Sequence, residues 1–344
     1  MSEKKRKVVS SLLFAGFIFF NATTSARPLR DDERARLYSD VKSQRGADIT
    51  IDATYTKETV TRPESVNKKK QEMDKLLSEL SEKMGQTLKF SSFGLTLPDG
   101  SEVCLSETRT RIGFGLKVRN DTTVFANKEM TEPRYQATTI DTGYENGKDS
   151  PSYEIDHKLK KALIWNGKRW SGLEVRRFGR VDETIAWDTI ALCNPNRSQN
   201  AKVSKNKKFS YKVSGNFDGN VVDEIECVDP NGRAKYSISL DSNDWSICRK
   251  IVRYDEKSGL VSQIVEYKQF ANAEGTGEPF PRLVIRRHFG KEGREEKVET
   301  ISVTNVVIGQ PISKDIFKLD VPDNYTIIDN RYSPPLTTQP SRKP

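Results

Sequence analysis

Phe209-Ser-Tyr-Lys-Val213 and Tyr236-Ser-Ile-Ser-Leu240, with the turns Asp218-Gly219-Asn220 and Pro230-Asn231-Gly232 between them, decide the fold. Apolar and polar residues alternate in both runs, the period of a strand with one dry and one wet face. Lys257-Ser258-Gly259 and Lys291-Glu292-Gly293 continue the series of turns, so that signals recur about every dozen residues from Asn220 to Gly309. This spacing predicts an antiparallel meander of long strands. Upstream, Ile112, Phe114, Leu116 and Val118 alternate in the same way and read as one further strand. Pro98-Asp99-Gly100, Asn146-Gly147 and Asn166-Gly167 mark more turns. No strand–helix alternation appears, which excludes a doubly wound sheet.

Two helical stretches precede the meander. Asp31 to about Arg45 places Arg36, Leu37, Tyr38 and Val41 near one face, with Gly46 as a stop. Ile49, Ile51, Ala53 and Tyr55 then alternate as a strand. After Pro63, the segment Glu64–Met84 carries Met73, Leu76, Leu77, Leu80 and Met84 at helical spacing, and Gly85 stands where a terminating glycine belongs. A stripe on one face only must lie across something apolar. The fold class is therefore mainly β: a large twisted antiparallel sheet with one or two helices. It would occupy residues 27–330, with the Lys-rich loop 195–208 as the one place for a subdivision. The Pro-rich segment 331–344 reads as a disordered tail.

The first 26 residues read as a cleaved secretory signal. Lys4–Lys7 are cationic, Val8–Phe20 are apolar, and Asn21–Ala26 supplies small residues for a cut after Ala26. A membrane anchor would need about 18–20 apolar residues. No Cys follows the apolar run, so a lipid-anchored mature end is excluded. The expected location is the periplasm or the extracellular space. Removing residues 1–26, with their four Lys or Arg and one Glu, lowers the net charge from +9 to +6. In an oxidising compartment Cys104, Cys193, Cys227 and Cys248 could form disulfides, with three pairings open and buried free thiols as the other reading. A strand between Cys227 and Cys248 would hold those two about 10 Å apart, out of bonding reach.

Composition supports no catalytic centre. The two histidines, His157 and His288, fall among charged neighbours on predicted strands and read as solvated side chains. Neither a serine elbow nor a zincin helix is present, and no Cys-x-x-Cys occurs. The chain reads as a non-enzyme without catalytic residues, metal or cofactor. Lys68–Lys70 and the lysines of 197–208 lack interleaved aromatics, so nucleic acid is not an expected partner; an anionic membrane surface suits them better. Trp165 and Trp170 flank the Asn166-Gly167 turn, and Trp187 and Trp245 lie in or next to other predicted strands. They read either as cross-strand packing or as the lining of an apolar cavity.

The C-terminal part carries a family likeness. Leu260–Phe270, Glu278-Pro-Phe-Pro281 leading into Arg282–Phe289, Val303–Gly309, Ile312–Phe317 and Leu319–Tyr325 follow one another as strand, strand, long strand with an Asn-Val, Phe-bearing turn and final strand. Together with the Ile164-Trp-Asn-Gly-Lys168 hairpin, this order resembles outer-membrane lipoprotein carrier proteins of the LolA/LolB-like superfamily. The resemblance covers residues 160–330 clearly and 31–60 loosely. It implies a half-open barrel whose concave side is crossed by helices and holds lipid or lipoprotein acyl chains, in a monomer. Met73, Leu76, Leu77, Leu80 and Met84 would then form a lid, and Trp165, Trp170 and Trp187 part of the cavity. The extra length, charged insertions and cysteines depart from the carriers. A sensor or envelope-scaffold protein with a self-filled core is the alternative.

Overall fold

In the computed structural model the structure describes residues 27–43, 50–84, 94–113, 117–141, 144–145, 148–149, 152–165, 178, 208–229, 231–318 and 320–329. The chain opens with β1 (Arg27–Pro28), α1 (Asp31–Ser43), β2 (Ile51–Thr61) and α2 (Pro63–Met84). There follow β3 (Leu95–Thr96), β4 (Glu102–Ile112), β5 (Val118–Phe125), β6 (Pro133–Asp141), β7 (Tyr144–Glu145), β8 (Lys148–Asp149), β9 (Ser152–Asp156) and β10 (Lys161–Trp165). The second half holds β11 (Lys208–Phe217), β12 (Asn220–Val228), β13 (Ala234–Asp241), β14 (Cys248–Tyr254) and β15 (Val261–Asn272). It ends with β16 (Glu274–Gly275), β17 (Pro279–Phe289), β18 (Glu295–Ile308), a 3-10 helix at Lys314–Phe317 and β19 (Thr326–Asp329).

Hydrogen bonding orders the sheet β1, β11, β12, β13, β14, β15, β17, β18, β2, β4, β5, β6, β9, β10, β19. Neighbours along that order are antiparallel except β10 and β19, which run parallel. The sheet is mainly β, carries two helices and does not close on itself; this is the half-open architecture expected from the sequence. β2 is the seam. It pairs along its length with β18 on one side and β4 on the other, and so joins the early meander to the late one.

One expectation is corrected. Ile112 and Val118 do not belong to a single strand: they face each other as register partners at the end of the β4–β5 hairpin. Gly113 donates its N–H to the Lys117 carbonyl at 2.8 Å and begins the turn. Both residues point to the same face because they are cross-strand partners, a relation that mimics strand alternation in the sequence. Gly113 is required for another reason: a Cβ there would sit 2.7 Å from the ring of Phe317. The 3-10 helix is docked on that glycine.

Register separates the two faces. Ile51, Ala53 and Tyr55 of β2 align through their partners with Ile112, Val118, Ile308, Val306, Val303, Ile301, Val284, Tyr267, Val265, Ile251, Ile238 and Ile225, all buried. This inner face is the core of the protein. α1 closes over part of it through Leu37, wholly buried, with Leu29, Phe178 and Trp245 completing the same cluster. α1 is held at its start by Glu33, which accepts from the Arg30 backbone N–H at 2.8 Å and from Arg27 Nη1 at 2.7 Å. The Arg27 contact outweighs burial and lowers the Glu33 pKa to about 2.

Candidate functional site

The inner face changes character along the strands. Where β11–β18 meet β2 it is apolar and filled: Phe178 lies edge-on to Tyr55, with centroids 6.2 Å apart, and tilted against Phe280 at 6.3 Å. Towards the far end of β2, β17 and β18 the same face becomes charged. Glu299, with a side chain only 7% exposed, receives Arg286 Nη1 at 3.0 Å, Lys57 Nζ at 3.1 Å and Lys297 Nζ at 3.1 Å. Burial alone would raise the pKa of this carboxyl. The adjacent His288 ring and the charges of Lys57 and Lys297 reverse that and hold it well below the usual carboxylate range. His288 Nε2 is 3.7 Å from Glu299, beyond hydrogen-bond reach, and this solvent-shielded nitrogen has no hydrogen-bond partner among the described residues.

Across β4–β6 the inner face is lined by hydroxyl and amide groups. Thr108 and Thr122 share a hydrogen bond at 3.1 Å, and Thr110 donates to Asn120 Oδ1 at 2.7 Å. On the outer face a polar groove of about 460 Å³ is lined by Glu107, Arg109, Arg119, Asp121, Thr138 and His157, among others. Asp121 is its hub. It is bound by Arg111, by Arg119 Nε at 3.1 Å and by Thr138 Oγ1 at 2.8 Å. Thr138 has one proton and a carboxylate takes it, so the His157 Nε2 at 3.0 Å must be the donor to Thr138 Oγ1. Nδ1 is then the acceptor from the Tyr325 hydroxyl at 3.2 Å. His157 thus fastens the C-terminal segment to the sheet, together with Arg119, which donates to the Ile316 carbonyl at 3.1 Å.

The residues singled out from sequence fare unevenly. Met73 and Leu77 are half-buried on α2 and Leu76 is 52% exposed, so the helix presents part of its apolar stripe to solvent. Trp165 is half-buried on β10. The side chains of Leu80 and Met84, and all of Trp170, Trp187 and Cys193, lie outside the described residues. Cys104, Cys227 and Cys248 are not disulfide-bonded. Cys227 on β12 and Cys248 on β14 have β13 between them, as the turn pattern implied. The expectation that both histidines are merely solvated fails: His157 is bonded on both ring nitrogens, and His288 is turned towards Glu299. Among the described residues no group of three or more His, Cys, Asp or Glu side chains is placed to hold a metal.

Sequence reasoning missed Glu299 and Asp121. One signal could have found the first: Glu299 shares its strand parity with Ile301 and Val303, which places it on the dry face.

No family model matches the chain, and no curated protein matches it. Among solved structures it is similar to a domain assigned to outer membrane lipoprotein sorting from Vibrio parahaemolyticus, at 11% identity and a TM-score of 0.41, covering 84% of this chain and 97% of that one. It is also similar to a DUF1329 family protein from Desulfovibrio piger, at 10% identity and a TM-score of 0.43, covering 85% and 98%. A third likeness, to MucB, has 9% identity and a TM-score of 0.27 and covers 83% of this chain and 63% of that one.

Proposed function

We propose that this chain is an exported, non-catalytic binding protein that holds a lipid or lipoprotein acyl group against the inner face of its open sheet, as a monomer. One observation carries the reading. A single sheet face passes from an apolar floor, built by residues such as Tyr55, Phe280 and Val303 and partly covered by Phe178, to a charged floor around Glu299. An amphiphile presents the same sequence of surfaces, and ligand sites are typically apolar concavities with a few placed polar groups. α2 fits as a cover, because its half-exposed stripe of Met73, Leu76 and Leu77 still lacks full burial. Methionine adapts readily to flexible chains. The Lys and Arg pattern of residues 1–26 supports export.

Native mass spectrometry and lipid extraction test this on protein purified from the compartment to which it is exported. Acyl lipid is expected to co-purify in a fixed ratio. Protein that is free of lipid and does not take it up from vesicles of phosphatidylethanolamine and phosphatidylglycerol would sink the reading. A second reading, an envelope interaction or sensor protein with a self-filled core, is favoured by one observation: Leu37, Phe178 and Trp245 already occupy part of the apolar floor. It expects a stable protein partner in pull-downs and no bound lipid.

A further inference from the structure

We infer that the outer-face groove across β4, β5 and β6 binds a zwitterion, a primary ammonium joined to a phosphodiester or carboxylate. Glu107, Thr123 and Gln136 take the ammonium, and Arg109 and Arg119 take the anionic group. The groove offers about 460 Å³ of open space, within the range of roughly 300–1,000 Å³ of small-ligand sites. Apart from Ala137 its lining residues are polar or charged, so an apolar ligand has little to rest on. It lies on the face opposite the surface proposed above for acyl chains, and stands or falls without it.

The register builds the two ends. Glu107 faces Thr123 and Thr123 faces Gln136, so the three form one row across three strands. Neighbours in such a row are about 5 Å apart, and here two long side chains flank a short one. Among the described residues none of these three side chains has a hydrogen bond or an ion pair. Each presents an oxygen acceptor, and a primary ammonium brings three donors with a charge that the Glu107 carboxylate lacks a partner for. Two residues further along the strands, about 7 Å away, the next row sets Arg109 opposite Asp121. Arg109 holds Asp52 through Nε and Nη2, at 3.0 and 2.7 Å. Arg119 holds Asp121 through Nε and the Ile316 carbonyl through Nη1, each at 3.1 Å. Nη1 of Arg109 and Nη2 of Arg119 are left for an anionic oxygen, as charge-assisted donors. With Arg111, which also binds Asp121, three guanidiniums share two carboxylates at this end. The groove is therefore negative at the Glu107 row and positive at the arginine end. A zwitterion matches both, whereas a ligand of one sign would meet its own charge at one of them.

Amide NMR titration of the full mature chain tests the assignment with glycerophosphoethanolamine, glycerophosphocholine and glycerophosphoglycerol. These share the phosphodiester and carry, in turn, a primary ammonium, a quaternary ammonium and no cation. Saturable shifts at Thr123 and Gln136 are expected with the first, bound at least about threefold more tightly than the other two, the scale of one exposed ion pair. Glu107→Gln, at an exposed position, should abolish that advantage and leave glycerophosphoglycerol no weaker, with the amide spectrum outside β4–β6 unchanged. Glu107→Lys should reverse the order in favour of glycerophosphoglycerol. Equal affinity for the three in the unaltered protein, a preference that survives Glu107→Gln, or the absence of shifts in β4–β6 would overturn the assignment. Sedimentation with phosphatidylcholine vesicles, with and without phosphatidylethanolamine, separates two sources of the same chemistry. Binding that rises with phosphatidylethanolamine and falls in Glu107→Gln assigns the groove to a lipid headgroup; indifference to it, with glycerophosphoethanolamine bound, assigns the groove to a soluble zwitterion.

Discussion

Trp245 donates its indole N–H to Oδ2 of Asp223 over 2.8 Å, a buried bond that ties the β13–β14 turn to the floor of the sheet. The same carboxylate receives the Tyr211 hydroxyl at 2.7 Å, and Arg36 of α1 stacks 4.7 Å above the Trp245 ring. One side chain therefore links β11, β12, the turn and α1. Asp223→Ala would strip the acceptor from two donors. Each donor left unsatisfied costs about 1–3 kcal/mol. Urea unfolding should show that loss as a lower midpoint at unchanged slope; a midpoint equal to that of the unaltered protein would contradict the arrangement.

Leu37 is the only contact of α1 with the core that is wholly buried among the described residues. Leu37→Ala is expected to cost about 2–5 kcal/mol through lost transfer energy and a residual cavity. Arg34→Ala, on the exposed side of the helix, should stay within about 0.5 kcal/mol. Similar losses for the two variants would mean that α1 does not pack as described.

Acid should weaken the fold through Glu33 and Glu299. Both have lower pKa values folded than unfolded, so they contribute stability that is complete above the ordinary carboxylate range and is lost as pH falls towards the folded value. For Glu33 that window runs from about 4.5 down to about 2. Stability measured by urea unfolding at pH 7, 5, 4 and 3 should therefore decline below pH 5. The decline should be shallower in Glu33→Gln; a variant curve parallel to the original would refute the ionic role of Glu33.

Thr138→Val keeps the shape of the side chain and removes the hydroxyl between Asp121 and His157. The expected cost is about 1–3 kcal/mol, with faster amide exchange over Tyr325–Asp329, which His157 helps to hold. Exchange that rises elsewhere but not in this segment would show that His157 does not fasten it.

The strand-rich half of the molecule was legible because a dry face and a wet face write a period of two into Phe209–Val213 and Tyr236–Leu240. α1 was placed to within two residues at its end, and α2 to within one residue at its start, since Pro63 and the spacing of Met73, Leu76 and Leu77 are local signals. The hairpin at Ile112 and Val118 was misread because partners across a tight turn keep the parity of a continuous strand. The Glu299 cluster was illegible for a different reason. Its members come from β2, β17 and β18, and nothing local states that β2 lies between β18 and β4. In the sequence, Glu299 looks like one more charge in a polar run.

The seam between β2 and β18 has a consequence for how the chain is made. β2 is synthesised early and one of its two partners nearly last, so the central pairing of the sheet closes a loop that holds most of the protein. Contacts so distant along the chain slow folding, because the entropy of closing the loop is lost before the pairing rewards it. Until β18 arrives, one side of β2 is an unpaired edge, open to the wrong neighbour. A chaperone that shields this edge during synthesis should raise the yield of folded protein more than one acting on the late meander, whose strands meet their neighbours as soon as they emerge.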